Sequence, residues 1–399
     1  MKKKVYNILL VFGLVLAIIF GIYLPNIMEK LAFLGDIYLN LLKFMIAPII
    51  FSSIICSIYH SSKIKNHFII KTIFLFITMF IASFFLTSIV ILISNIGHNY
   101  SYEFSSWTGE VVGLELSSII TNLFPSNLVT IFQNNSLFSI IFLAILCGYA
   151  AIKVENGDKV IDFFDGLKNI FYKILEYIMY LTPLGVFSLL GNAIVKYGTT
   201  LFSLGAKYIG AAYFCSFLVL IFIMILPAYF IGNVNPFSYI KKVLKVWMIS
   251  LTTCSSVATL PTTIKTCEED FNIPSNITNI TVPLGCTIHM CGGAVSFALL
   301  GIFCCQLFNI DITFSKYLLM LFSATVINMA APGIPGGGII IGASYLTILG
   351  VPLSFIGFYS SIYKILDMAY TTLNVTGDIT ANIIIHKITS LKKRKRKLQ

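Results

Sequence analysis

Charge is scarce in this chain. Asp, Glu, Lys and Arg make up 11% of its 399 residues and hydrophobic residues 57%, whereas a soluble domain carries about a quarter charged residues. With a mean hydropathy of +0.91, no water-soluble fold could hide so much apolar surface, and a membrane protein is expected. Metal-ligand and disulfide spacings are also missing. Cys56, Cys147, Cys215 and Cys286 stand alone in apolar segments, and Cys304 and Cys305 are adjacent, with no CxxC partner, which excludes a zinc site or a disulfide framework. No Ser-His-Asp set and no phosphate loop is present, so an enzyme is not expected, and no cofactor is implied.

The net charge of +11 would suggest nucleic acid were it not so unevenly placed. Lys2 to Lys4, Lys63 with Lys65, the Lys241/Lys242/Lys245 cluster and the basic run at 392–397 should be cytoplasmic by the positive-inside rule. Residues 95–136 hold no Lys or Arg but do hold Glu103, Glu110 and Glu115, so this loop should face outside. Both termini are then cytoplasmic, the crossings are even in number, and no nucleic-acid partner is needed in this multi-pass inner (plasma) membrane protein. The basic tail reads as a topology anchor or as a contact for anionic lipid.

Apolar helices are predicted at 6–24, 37–59, 68–94, 137–152, 167–194 and 204–231, each near the roughly 20 residues that span a hydrocarbon core. The first follows three lysines, like a secretory signal. It is long for a signal core and has no small-x-small cleavage site after it, which makes it a first transmembrane helix. Pro48 and Pro183 occur in similar local text, hinting at a repeat of three helices or at two packing kinks.

After Asn233 the apolar stretches are interrupted. Thr252 to Pro261 (TTCSSVATLP) and Ala330 to Gly338 (AAPGIPGGG) each have a short helix's worth of apolar sequence on both sides, and each reads as a re-entrant hairpin or as a kinked full-length helix. A helix at 276–308 is broken by Pro283 to Gly293 (PLGCTIHMCGG). Paired Gly/Pro interruptions are a sequence pointer to a transporter's binding site.

The last predicted helix, 355–385, carries two acids, Asp367 and Asp378, inside an apolar span. A membrane-buried acid costs about 2.5 to 3.5 kcal/mol even on the lenient insertion scale, and so marks function. At about 100° per residue, Asp367, Tyr370, Thr371, Asn374 and Asp378 fall at roughly 0°, 300°, 40°, 340° and 20°. Their carboxylate, hydroxyl and amide oxygens share one stripe and suit a hard cation or a primary ammonium.

The run Asp367 to Asp378 (DMAYTTLNVTGD) resembles the last-helix motif of the dicarboxylate/amino acid:cation symporters, the glutamate transporter family. Ser255 to Pro261, Gly333 to Gly338 and Leu41 to Pro48 are similar to that family's first hairpin, second hairpin and second helix, in its order and over nearly the whole chain. The resemblance implies an all-α integral membrane protein of eight transmembrane helices and two re-entrant hairpins, with inverted repeats and an elevator mechanism in a homotrimer. Scaffold helices one and two would occupy 1–67, transport helix three 68–94, an extracellular loop 95–134, and scaffold helices four and five 135–196. The rest of the transport domain (helix six, hairpin, helix seven, hairpin, helix eight) would occupy 197–389, and the basic tail 390–399.

By resemblance, Asp367 binds the substrate's amino group, Asn374 contacts its α-carboxylate, Thr371 matches too, and Ser255, Ser256, Ile334 and Gly338 enclose it. Asp378, with Asn374, His289 and a backbone oxygen at Gly285, would form one sodium site, and Thr287 with carbonyls near the second hairpin another. Tyr370 stands where acidic-substrate members have an arginine, and Cys254 where some members have one. Without that guanidinium a second carboxylate lacks a partner, so a small neutral amino acid is expected as the sodium-driven cargo. A dicarboxylate, an acidic amino acid or cystine is the alternative, with a proton a possible coupling ion. His289 to Gly293 replace the family's Asn-Met-Asp-Gly-Thr, and the lost aspartate implies fewer coupled sodium ions, since a thiol is a poor ligand for hard sodium. His289 is left as a proton carrier or a hydrogen-bonded core residue. A channel is the remaining rival.

Overall fold

In a computed structural model of the chain, residues 3–63, 67–98, 127–133, 137–198, 200–329 and 336–396 are described, and among them there is no β-strand. Most of the loop expected at 95–134 and the tip of the second expected hairpin, including Ile334, lie outside the described residues.

The apolar runs become helices Lys3–Tyr23, Ala32–Lys63, His67–Ser94 and Leu137–Lys153, close to their predicted bounds. The expected single helix at 167–194 is instead two, Gly157–Met179 and Thr182–Tyr197, bent by 56°. Pro183 is the cause: it has no N–H to donate one turn back and its ring crowds that carbonyl, so it begins a new helix near its first position. Pro48, by contrast, stays inside Ala32–Lys63. The following span, Thr200–Val219, continues through a widened π-helical turn, Leu220–Ile225, into Leu226–Phe230, where Pro227 again removes a donor.

Three spans are long and apolar enough to cross a bilayer by length and composition among the described residues, and a fourth if the bent pair counts as one span. The outward faces of Ile70–Ser94 and Thr200–Phe230 carry large apolar side chains: Phe74, Ile93, Phe217 and Phe222 are all more than half exposed. Continuous exposed apolar surface of that kind needs lipid to cover it, and the chain is an integral membrane protein.

From Pro236 onward the interrupted text folds as two helix pairs and a broken helix. Asn235 accepts bonds from the N–H of Phe237 (3.0 Å) and Ser238 (3.4 Å), capping Pro236–Thr253 with Pro236 at its first position. That helix ends at Cys254, whose φ of 50° is left-handed, and Ser255 is extended before it caps Ser256–Lys265. The two helices pack against each other as a hairpin, and Phe314–Asn328 packs in the same way against Gly337–Ile348. Between them lies a helix broken into Ser275–Ile288 and Cys291–Leu307. The break is confined to His289 and Met290, while Pro283 remains inside the first half.

Of these, Pro236–Thr253, Ser256–Lys265, both halves of the broken helix and Gly337–Ile348 pack on the terminal helix, Ser354–Arg396. Side chains lock its rotation. Tyr239 Oη lies 2.7 Å from Thr380 Oγ1, Trp247 donates to Thr376 (2.8 Å), Ser250 meets Thr372 (2.9 Å), and Thr281 donates to Asn382 (2.7 Å). Such satisfied pairs are what allow a polar helix face to be buried.

Candidate functional site

The terminal helix presents its polar stripe inward. Asp367, Tyr370, Thr371, Asn374 and Asp378 are all at least nine-tenths buried, so the side chains that the helical period aligned do face the protein interior. The stripe meets the two hairpins and the broken helix around a cavity of about 40 Å³. Asp367, Tyr370, Thr371 and Asn374 form one wall, Cys254 and Ser256 come from the first hairpin, and Gly338 from the second. The cavity therefore lies where the three interruptions of the sequence converge.

Asp367 is the one charged side chain among the lining residues. Its Oδ1 accepts from the Thr371 hydroxyl (3.1 Å) and its Oδ2 from the backbone N–H of Gly336 (3.2 Å). Gly336 has a φ of 80°, a conformation glycine reaches without penalty, and this turns its N–H toward the carboxylate. Asn374 Oδ1 accepts from the N–H of Gly292 at the start of Cys291–Leu307 (2.8 Å). With that oxygen engaged, the NH2 edge is what Asn374 can offer a ligand.

About one turn beyond Asn374 the surroundings change. His289 Nδ1 lies 2.9 Å from Asp378 Oδ1, its Nε2 lies 3.1 Å from Cys291 Sγ, and its ring stacks on Phe76 with centroids 4.4 Å apart. The carboxylate, the imidazole and the thiol fill this space themselves. Glycines permit the closeness. A Cβ on Gly285 would stand 2.3 Å from Asp378 Oδ1, one on Gly377 2.8 Å from His289 Cε1, and one on Gly292 2.0 Å from the Tyr370 carbonyl oxygen. No group of three or more His, Cys, Asp or Glu able to hold a metal occurs among the described residues.

Of the residues singled out from the sequence, Ser256, Gly338, Asp367, Tyr370, Thr371 and Asn374 meet at the cavity. Ser255 instead accepts from the N–H of Ala258 (3.2 Å) as a helix cap. Gly285, His289 and Asp378 form the second cluster. Thr287 is exposed and donates to its own turn at Leu284 (2.8 Å), away from both. Sequence reasoning missed Tyr363, Asn328 and Ser296, which also line the cavity. Tyr363 was within reach: one turn before Asp367, it lies on the same stripe at about 320°.

Comparison with known proteins is consistent along the chain's length. A family model described as the sodium:dicarboxylate symporter family matches residues 7–388. A proton/glutamate-aspartate symporter of Bacillus subtilis (strain 168) is 24% identical over 397 residues, covering 96% of this chain and 95% of that protein. A proton/sodium-glutamate symport protein of Geobacillus stearothermophilus is 27% identical over 390 residues, covering 94% and 92%. A C4-dicarboxylate transport protein of Bacillus subtilis (strain 168) is 24% identical over 388 residues, covering 94% and 91%.

Proposed function

The chain belongs to the sodium:dicarboxylate symporter family, whose members are secondary transporters and not enzymes, and from that premise we propose that it is a cation-coupled symporter of a small neutral amino acid. The observation that carries the choice of cargo is the cavity lining: one carboxylate, Asp367, and no Lys, Arg or His among fourteen residues. Asp367 with Thr371 receives the substrate ammonium, and the Asn374 NH2 edge with hairpin groups near Ser256 and Gly338 receives its carboxylate. One plus and one minus then cancel inside the site. A substrate with a second carboxylate would bring an uncompensated charge, which low-dielectric surroundings penalise heavily. The relatives named above are described by substrates with two carboxylates, so the proposal departs from them at Tyr370.

Sodium is the proposed coupling ion, held near Asp378 and Asn374 with the Gly285 carbonyl. The His289–Asp378 contact occupies part of that space, which supports fewer sodium ions per cycle than a site with the full oxygen set. Eight crossings, a homotrimer and an elevator movement of residues 68–94 and 197–389 against 1–67 and 135–196 complete the proposal. The helices of the second group pack closely among themselves: Lys3–Tyr23 lies on Thr182–Tyr197, and Ala32–Lys63 on Leu137–Lys153 and Gly157–Met179.

The test is uptake of a labelled panel by purified protein in liposomes, under a sodium gradient, a pH gradient or neither. Serine, threonine or alanine should accumulate when sodium is high outside. Higher affinity for aspartate or succinate would reject the neutral cargo, and accumulation driven by the pH gradient alone would transfer the coupling to protons. Exchange of labelled for unlabelled substrate, which an open pore does not perform, separates the carrier from a channel.

A further inference from the structure

Two polar side chains on the cavity wall end in buried atoms that have no hydrogen-bond partner. Asn328 ends the helix Phe314–Asn328, is 2% exposed and lines the cavity, yet its Oδ1 has no hydrogen-bond partner. Tyr370, 3% exposed, also ends in a buried hydroxyl that closes no hydrogen bond. Neighbouring Ser296 turns its own hydroxyl to Tyr359 instead (2.8 Å). Buried polar atoms are nearly always satisfied, so two orphans facing one cavity indicate a partner supplied from outside the chain.

The space for Asn328 is itself built. A Cβ on Gly293 would come within 2.3 Å of Asn328 Oδ1, so any side chain at 293 would push the carboxamide away. Glycine at 293 and asparagine at 328 therefore act as a pair: the first removes a side chain from the wall, and the second fills the gap with an amide.

Resting on the neutral-cargo reading above, we propose that Asn328 and Tyr370 form a subsite for an uncharged hydroxyl on the substrate side chain, so that the cargo class is small hydroxy amino acids. With Asp367 engaging the ammonium and Asn374 the carboxylate, the side chain is what remains to face Asn328 and Tyr370. A hydroxyl both donates and accepts, which satisfies Asn328 whichever edge of its amide faces the cavity. A second carboxylate would bring a charge that no Lys, Arg or His of the lining offsets. A methyl leaves both orphans unpaired.

Serine and 2-aminobutyrate differ only in hydroxyl against methyl, and threonine and valine likewise. In wild-type proteoliposomes, unlabelled serine should compete at least about tenfold better than 2-aminobutyrate, as expected of a site built to bond a substrate hydroxyl, and threonine better than valine by a similar factor. In Asn328→Leu the serine preference should fall below about threefold, because the amide is gone while the bulk remains. Gly293→Ala, which displaces the amide without removing it, should act in the same direction. If the wild type transports neutral amino acids but treats serine and 2-aminobutyrate alike, the subsite is wrong and the neutral cargo stands. Should the wild type prefer aspartate or succinate to every neutral compound, the neutral cargo is wrong and the subsite falls with it. A variant that retains the full serine preference removes Asn328 from the assignment, and the wild-type ratio decides the hydroxyl class even if neither variant folds.

Discussion

Asp367 and Asp378 stand on one stripe of one helix, about three turns and ~16 Å apart, in opposite surroundings. Asp367 faces a cavity and is held by a hydroxyl and a backbone N–H. Asp378 lies outside the lining of that cavity and is covered by an imidazole, itself wedged between a phenyl ring and a thiol. The same residue type at equivalent helical positions thus serves a vacancy at one end and a packed polar cluster at the other. What separates them is the neighbouring chain: hairpin tips and short side chains at the first, the break of a helix at the second.

The largest expected effect tests the open end. Asp367→Asn should lower the initial rate of substrate uptake by about 100-fold or more, since removing one partner of a buried ion pair costs about 3–5 kcal/mol. Asp378→Asn should spare substrate affinity at saturating cation and instead raise the cation concentration needed for half-maximal uptake. If both variants lose substrate affinity equally, the two ends are not functionally distinct.

Next comes Gly292, the contact between the ends. Gly292→Ala would drive a methyl into the Tyr370 carbonyl and should cost about 1–3 kcal/mol of stability, read as a lowered Tm in detergent. Gly210→Ala, with nothing within 4 Å of its added methyl, is the control and should leave Tm equal or slightly higher. Tyr370→Arg should shift the preference toward aspartate or succinate by about tenfold relative to alanine, read from competition assays. The smallest effect is expected from His289→Asn, which exchanges an imidazole for an amide beside Asp378. Half-saturation by sodium should fall by about threefold as an oxygen donor becomes available. An unchanged sodium response would show that the closed end plays no part in coupling.

The closed end was less legible in the sequence than the open one, for a physical reason. The stripe from Asp367 to Asp378 follows from the 3.6-residue period alone, because a buried helix keeps its side chains in register. The first hairpin's turn was visible as TTCSSV, where an apolar helix would not place five small or polar residues, and it turns at Cys254 and Ser255. Asn328 was not visible, since only the packing of Phe314–Asn328 against the broken helix brings it to Gly293. The break at Pro183 was read as a kink inside one helix, because sequence shows the missing N–H but not whether neighbours re-satisfy the freed carbonyl. Thr287 matched a motif, yet its turn points it outward.

The bond from Gly336 to Asp367 gives one oxygen two suitors. While no ammonium is present, that carboxylate holds the edge of the second hairpin down on the terminal helix. A carboxylate has acceptor sites to spare, so an ammonium docking at Asp367 would share that anchor with the second hairpin, tying cargo and hairpin edge to one side chain.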